Sequence, residues 1–299
     1  MANGDQYSLN RPVPVISSEH ARFWYTLLFL APLVIVLSGL FVWPLWLLFR
    51  QSIELDGRYS FQKYADILLT AHYRNAFFSS IGLSCVVALA ATLICSAPAW
   101  LLAHCEFRGK IILRSIIVLP MSFSGTIVGF LTILMLGRAG FVPALFGRIM
   151  GHPLFTGVAY DFSGLIIAYM YFEIPRATLT LESALRKFDL RLLAAAQSLG
   201  ASRWQRLHRI ILPIILPALI STFSITFCVS LGSFGVLLIL ATRNINVLPL
   251  EIFTAYVVNP ADRALAAAMA FVLILIALTV NYTVRLLNNN IPTGTNARA

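Results

Sequence analysis

Residues 189–217 read DLRLLAAAQSLGASRWQRLHRIILPIILP, a polar and basic segment set between two runs apolar enough to sit in lipid. Its local punctuation predicts two short helices meeting at a sharp corner. Asp189 suits the start of the first helix and Gly200, which tolerates positive φ, suits its end; Ser202 suits the start of the second, and Pro213 closes the segment, joining that helix directly to the fifth span. The first helix would carry Leu192, Leu193, Ala195, Ala196 and Leu199, with Ala194 to Ala196 small enough for another surface to approach closely. The second would set Trp204, Leu207 and Ile211 among Arg203, Arg206, His208 and Arg209. Leu193, Leu199 and Trp204 beside Arg203 and Arg206 give the apolar anchors and charged rim expected of a docking surface.

The chain around this segment is 59% hydrophobic and 11% charged, with a mean hydropathy of +0.83. Soluble chains are about a quarter charged, so this is read as an all-α polytopic membrane protein. Six transmembrane helices are expected, over residues 23–49, 77–103, 111–136, 163–181, 214–240 and 264–287. The first exceeds the ~30 Å hydrocarbon thickness at ~1.5 Å per residue, so tilt or a kink at Pro32 or Pro44 is expected. Ser, Ala, Gly and Cys in the second suit close helix packing inside a bundle. Pro120, Gly125 and Gly129 weaken the third. Residues 64–69 are expected to be partly helical, and 247–258 to form a re-entrant or interfacial helix. The expected organisation is an N-terminal tail (1–22), a transmembrane domain (23–287) containing the coupling loop 182–212, and a disordered C-terminal tail (288–299).

Six spans put both termini on one side. Of the 22 Lys and Arg, thirteen lie with the tails and the loops at 104–110 and 182–209, counting Arg114 and Arg285 near the adjoining span ends; eight lie on the other side, and Arg176 lies well within a span. By the positive-inside tendency the tails and the 189–217 segment are cytoplasmic. The net charge of +10 follows from this topology; with no basic stripe interleaved with aromatics, a nucleic-acid partner is not indicated. Cys85, Cys95, Cys105 and Cys228 lack metal-site spacing and read as small apolar residues. No catalytic residue, metal site or phosphate cradle of the G-x-x-x-x-G-K-[ST] type is present in the sequence, so energy for any driven process must come from another chain. The rival class is a secondary transporter or channel not driven by ATP; it would be expected to show internal inverted repeats and several buried ionisable residues, and neither is evident.

Glu173 and Arg176, three apart on one helical face beside Pro175, are the plainly intramembrane charges. They could line the path of a small charged or zwitterionic solute, or neutralise each other as a structural pair. Phe223, Phe227, Ser230, Ser233 and Phe234 form a stripe on the fifth span that fits either a pathway lining or helix packing.

The order Ala195-Ala196, three residues, Gly200, nine residues, Ile210-x-Leu212-Pro213 resembles the EAA loop of the permease subunits of ATP-binding-cassette importers. Ala194 departs from that pattern, which usually has Glu there, so a polar contact made by that carboxylate is missing. The likeness extends over most of the chain: Trp43-Pro44 at the end of the first span, Tyr64 and Phe77, Leu119-Pro120, and Gly235 through Asn246, Leu248 and Pro249. Together these resemble the spermidine/putrescine and 2-aminoethylphosphonate branch. The resemblance implies two permease subunits, the same or related, and two ATPase subunits that bind ATP and Mg. It also implies an extracytoplasmic solute-binding protein and location in the bacterial inner membrane. It assigns ATPase coupling to the 182–212 loop, in which Leu193, Ala195, Ala196, Leu199, Gly200, Arg203, Trp204 and Arg206 are the candidate residues, with Pro213 at its junction to the fifth span.

Overall fold

The computed structural model describes residues 19–55, 58–152, 155–240, 245–259 and 262–290. The chain divides into two units, 1–50 and 51–299. In the first, helix α1 (Glu19–Leu37) passes through a π-helical turn at Ser38–Val42 into α2 (Trp43–Ile53). Pro44 has no N–H to donate and its ring crowds the preceding turn; the widened turn immediately upstream absorbs both effects and the helix continues. The polar tail expected to reach residue 22 is already helical from Glu19.

The second unit opens with a two-residue antiparallel pair, β1 (Glu54–Leu55) with β2 (Arg58–Tyr59), the one departure from helix and turn among the described residues. Then come α3 (Gln62–Leu69), α4 (Ala71–His104), α5 (Lys110–Val118), α6 (Gly125–Leu136), α7 (Phe141–Met150) and α8 (Phe162–Leu185). After them lie α9 (Arg191–Ser198), α10 (Arg203–Arg206), α11 (Leu212–Gly232), α12 (Gly235–Leu240), α13 (Leu248–Phe253) and α14 (Arg263–Asn290). Helix α4 is the axis of the packing. Its Leu83 and Val87 join α6, α8 and α12; its Ala91, Cys95 and Ala99 join α8; its Ala88 joins Phe227 and Leu231 of α11. Small side chains along α4, among them Ala88, Ala91, Cys95 and Ala99, let α8 and α11 pack closely against it, as their distribution predicts.

Five helical runs are long and apolar enough to cross a membrane: residues 28–53, 71–104, 125–150, 203–232 and 263–289. Helix α8, 24 residues long, is the fourth expected span and carries Glu173, Arg176 and Glu182, which lower its apolarity. Two expected spans are not continuous. The third breaks after Val118 into a 3-10 turn at Leu119–Ser122, because Pro120 interrupts the hydrogen-bond ladder and Ser124 caps a new start, accepting from Ile127 N–H. The fifth runs unbroken to Gly232, breaks at Ser233–Phe234 and resumes as α12. The expected interfacial helix at 247–258 is present as α13 followed by a π turn at Thr254–Val258. Helix α14 runs to Asn290, where a disordered tail was expected from residue 288; Asn288 Nδ2 donates to Ser221 Oγ at 2.7 Å, tying its end to α11. The rest of that expected tail, like residues 1–18, lies outside the described residues.

The restarted helices α6 and α12 lie side by side. A Cβ on Gly125 would sit 3.1 Å from the Cα of Gly235, and one on Gly129 would sit 2.7 Å from the Cβ of Ile239. Glycine at these two positions sets the interhelical distance. Gly129→Leu is therefore expected to destabilise the fold by about 1–3 kcal/mol through overpacking, read as a lower unfolding temperature in detergent. Gly82→Ala, where nothing lies within 4 Å of the added methyl, should leave it unchanged.

Candidate functional site

Helices α9 and α10 form an arm at the end of the bundle where α4 and α8 finish and α11 begins. Asp189 Oδ1 accepts from Arg191 N–H at 2.9 Å, so this carboxylate does cap the start of α9. Helix α9 ends in two backbone bonds, Gly200 N–H to Gln197 O and Ala201 N–H to Ala196 O, both 3.0 Å. That pairing needs a left-handed residue at position 200, and Gly200 has φ +80°. Ser202 then opens α10 with a reciprocal capping box: its Oγ accepts from Gln205 N–H at 3.2 Å, and Gln205 Oε1 accepts from Ser202 N–H at 2.8 Å. Arg206 Nη1 reaches back across the corner to Gln197 Oε1 at 2.8 Å, fixing the angle between the two helices.

The arm presents its apolar residues outward. Leu199 is 88% and Trp204 68% exposed; Ala195, Arg203 and Pro213 are exposed, and Leu193, Ala196 and Arg206 are half-buried. Trp204 is held edge-on by His208 with ring centroids 4.2 Å apart. Behind the arm, Phe188 is buried against Trp100 and His104 of α4, at 5.4 and 6.0 Å between ring centroids.

Pro213 was expected to close the segment and to join the second short helix directly to the fifth span, and that junction is helical throughout. A π turn at Leu207–Ile211 joins α10 to α11, so residues 203–232 are one helical run of 30 residues. The widened turn again lies just ahead of a proline, and it replaces the break that Pro213 would otherwise impose. At ~1.5 Å per residue this rod is about 45 Å long.

The intramembrane candidates separate into three groups. Glu173 is 1% exposed and its Oε1 accepts from Arg176 Nη1 at 3.1 Å, whereas the Arg176 side chain is 27% exposed. Thus the carboxylate is inside the bundle and the guanidinium at its surface. Phe227 and Ser230 are buried, Phe227 in the packing of α11 against α4 and α14, and half-buried Phe223 stacks on Phe227 at 6.1 Å. Ser233 and Phe234 occupy the break between α11 and α12. There the Tyr169 hydroxyl donates to the freed Ser233 carbonyl at 2.7 Å, and Phe234 meets Phe253 at 5.1 Å. Gly232, Phe234, Pro249, Ile252 and Phe253 contribute to an apolar cavity of about 340 Å³. The sequence does carry a signal for this break, glycines at 232 and 235 bracketing it, but Tyr169 comes from another helix and was not singled out.

Residues 94–291 match the family described as "Binding-protein-dependent transport system inner membrane component". The chain belongs to this family. It is a permease component of an ABC importer. It is 36% identical over 141 residues to the "Molybdenum transport system permease protein ModB" of Escherichia coli strain K12; that alignment covers 46% of this chain and 58% of the relative, little more than half its length. It is 30% identical over 206 residues to the "Spermidine/putrescine transport system permease protein PotC" of Haemophilus influenzae, covering 69% of this chain and 74% of that one. In fold it is similar to a chain of a crystal structure of a bacterial ABC transporter involved in the import of the acidic polysaccharide alginate, with a TM-score of 0.75 and 19% identity over 91% of this chain and 97% of that one. These likenesses support the permease class that the sequence indicated; they do not select the polyamine and aminoethylphosphonate branch.

Gly200→Val forces a β-branched residue into the left-handed region, at about 1–2 kcal/mol. Amide exchange at residues 199–201 should accelerate roughly tenfold, since 1.4 kcal/mol is a factor of ten. Gly200→Asn, which tolerates that conformation, should accelerate it much less.

Proposed function

We propose that this chain forms half of the translocation pathway of an importer for a small charged or zwitterionic solute, driven by a separate ATPase docked on the α9–α10 arm. The arm and tails then face the cytoplasm, as the distribution of Lys and Arg indicates. The observation that carries the reading is the arm itself: a corner fixed by Gly200 and the Gln197–Arg206 bond, exposing Leu199 and Trp204 beside Arg203. Exposed apolar anchors on two short helices suit a cleft on a partner, and the charged rim suits its orientation.

When ATP closes the partner, the arm moves as a body, and the rod from Arg203 to Gly232 carries that displacement into the membrane. The other parts of the assembly in this reading are a second permease subunit, the same or related, two ATPase chains holding ATP and Mg, and an extracytoplasmic solute-binding protein. Arg176, partly exposed inside a span and steadied by buried Glu173, supports a charged solute. The relatives' names point to charged solutes of both signs, molybdenum in one system and spermidine or putrescine in another. Within this class, 2-aminoethylphosphonate and polyamines are the solutes the sequence pattern favours.

Cells expressing the importer should take up one of radiolabelled molybdate, spermidine or 2-aminoethylphosphonate offered in parallel. Gly200→Asp should abolish that uptake while the chain still inserts in the membrane at wild-type levels. Uptake undiminished in Gly200→Asp would contradict the coupling role of the arm.

A further inference from the structure

The root of the arm carries an ion cluster that neither the pathway nor the docking surface uses. Glu182, in the last turn of α8, has a side chain 1% exposed. Its Oε1 accepts from Arg186 twice, from Nη2 at 2.6 Å and Nε at 3.2 Å. Its Oε2 makes no hydrogen bond and faces Arg114 Nε of α5 at 3.6 Å. A buried carboxylate thus has two guanidiniums in reach, holds one closely, and keeps an idle oxygen towards the other.

The two arginines reach Glu182 from different elements: Arg186 from the end of α8 itself, where its N–H donates to Glu182 O at 3.0 Å, and Arg114 from α5. Arg186 is the residue directly after α8, at the start of the turn that leads through Phe188 into the arm. Arg114 lies on α5, which has no buried residue and shows Ile111, Ile112 and Ile116 to the outside. Leu113, Ile117 and Val118 of α5 are only half-buried, so the ion pair with Glu182 adds to a limited apolar contact. Glu173, by contrast, pairs with Arg176 alone among the ion pairs of the described residues.

We propose that Glu182 is a positioning residue, a two-position clasp that passes from Arg186 to Arg114 when the arm is displaced, and so makes α5 follow the arm. This rests on the reading of α9–α10 as the ATPase-coupled element. If displacement of the arm draws Arg186 away, a buried carboxylate left alone is strongly unfavourable. Closure of Arg114 from 3.6 Å to ordinary bonding distance removes that penalty and pulls α5 by a fraction of an ångström to an ångström or two, the usual size of a coupled helix shift.

The test uses the assembled importer with its ATPase in lipid bilayers, with Cys85 and Cys105 replaced by serine. Spin labels are introduced as Leu101→Cys on α4, Ile112→Cys on α5 and Leu192→Cys on α9. Distances are measured without nucleotide and after trapping with ATP, magnesium and vanadate. In the otherwise unaltered chain both the 101–192 and 101–112 distances should shift, on the order of 1–2 Å. Glu182→Gln should keep the 101–192 shift and lose the 101–112 shift. Arg114→Gln should do the same and Arg114→Lys should restore it; since Arg114 is half exposed, these two variants report even if Glu182→Gln fails to fold. A 101–112 shift that survives both Glu182→Gln and Arg114→Gln overturns the clasp. A 101–192 distance that never changes overturns instead the coupling role of the arm.

Discussion

One uninterrupted helix from Arg203 to Gly232 governs how this molecule can work. Its first turn is exposed in the arm and its last turns sit among α4, α8 and α14, so a rotation at one end is felt at the other. A proline ten residues in would ordinarily sever it. The π turn at Leu207–Ile211 prevents that by widening the ladder where Pro213 cannot contribute. The same arrangement precedes Pro44 in the first span, whereas Pro98 and Pro175 are accommodated inside α4 and α8 without a widened turn.

Continuity at the arm contrasts with interruption deeper in the bundle. In lipid a broken helix leaves polar backbone groups without water, and such breaks persist only where another element satisfies them. Here Tyr169 supplies the bond to Ser233, Ser124 caps the restart of α6, and Gly125 with Gly235 lets the two restarted helices touch backbone to backbone. The breaks therefore meet at one level of the bundle, next to the apolar cavity under Phe234 and Phe253. A long continuous helix thus ends beside a segmented, closely packed pair.

What could be read from the residues depended on the range of the interactions involved. The corner was legible because its determinants lie within a few positions of each other: Gly200 for the left-handed turn and Ser202 for the start of the second helix. Helix number was legible because lipid demands long apolar runs. The junction at Pro213 was legible, but the π turn at Leu207–Ile211 that keeps it helical was not, because it depends on how the surrounding turn widens. The break at Ser233 needed Tyr169, 64 residues away in the chain, and the Glu182 cluster needed Arg114; neither partner is visible to a reading that moves along the sequence. Glu173 and Arg176 were correctly picked as neighbours, but only packing could separate them into a buried anchor and a half-exposed cation.

The central claim is that the exposed face around Trp204 receives a nucleotide-hydrolysing chain. A photoreactive amino acid at position 204 in the assembled transporter tests it directly. The account requires a single major adduct with the ATPase, whose yield changes on addition of ATP and vanadate. Adducts with lipid alone, or a yield indifferent to nucleotide, would contradict it.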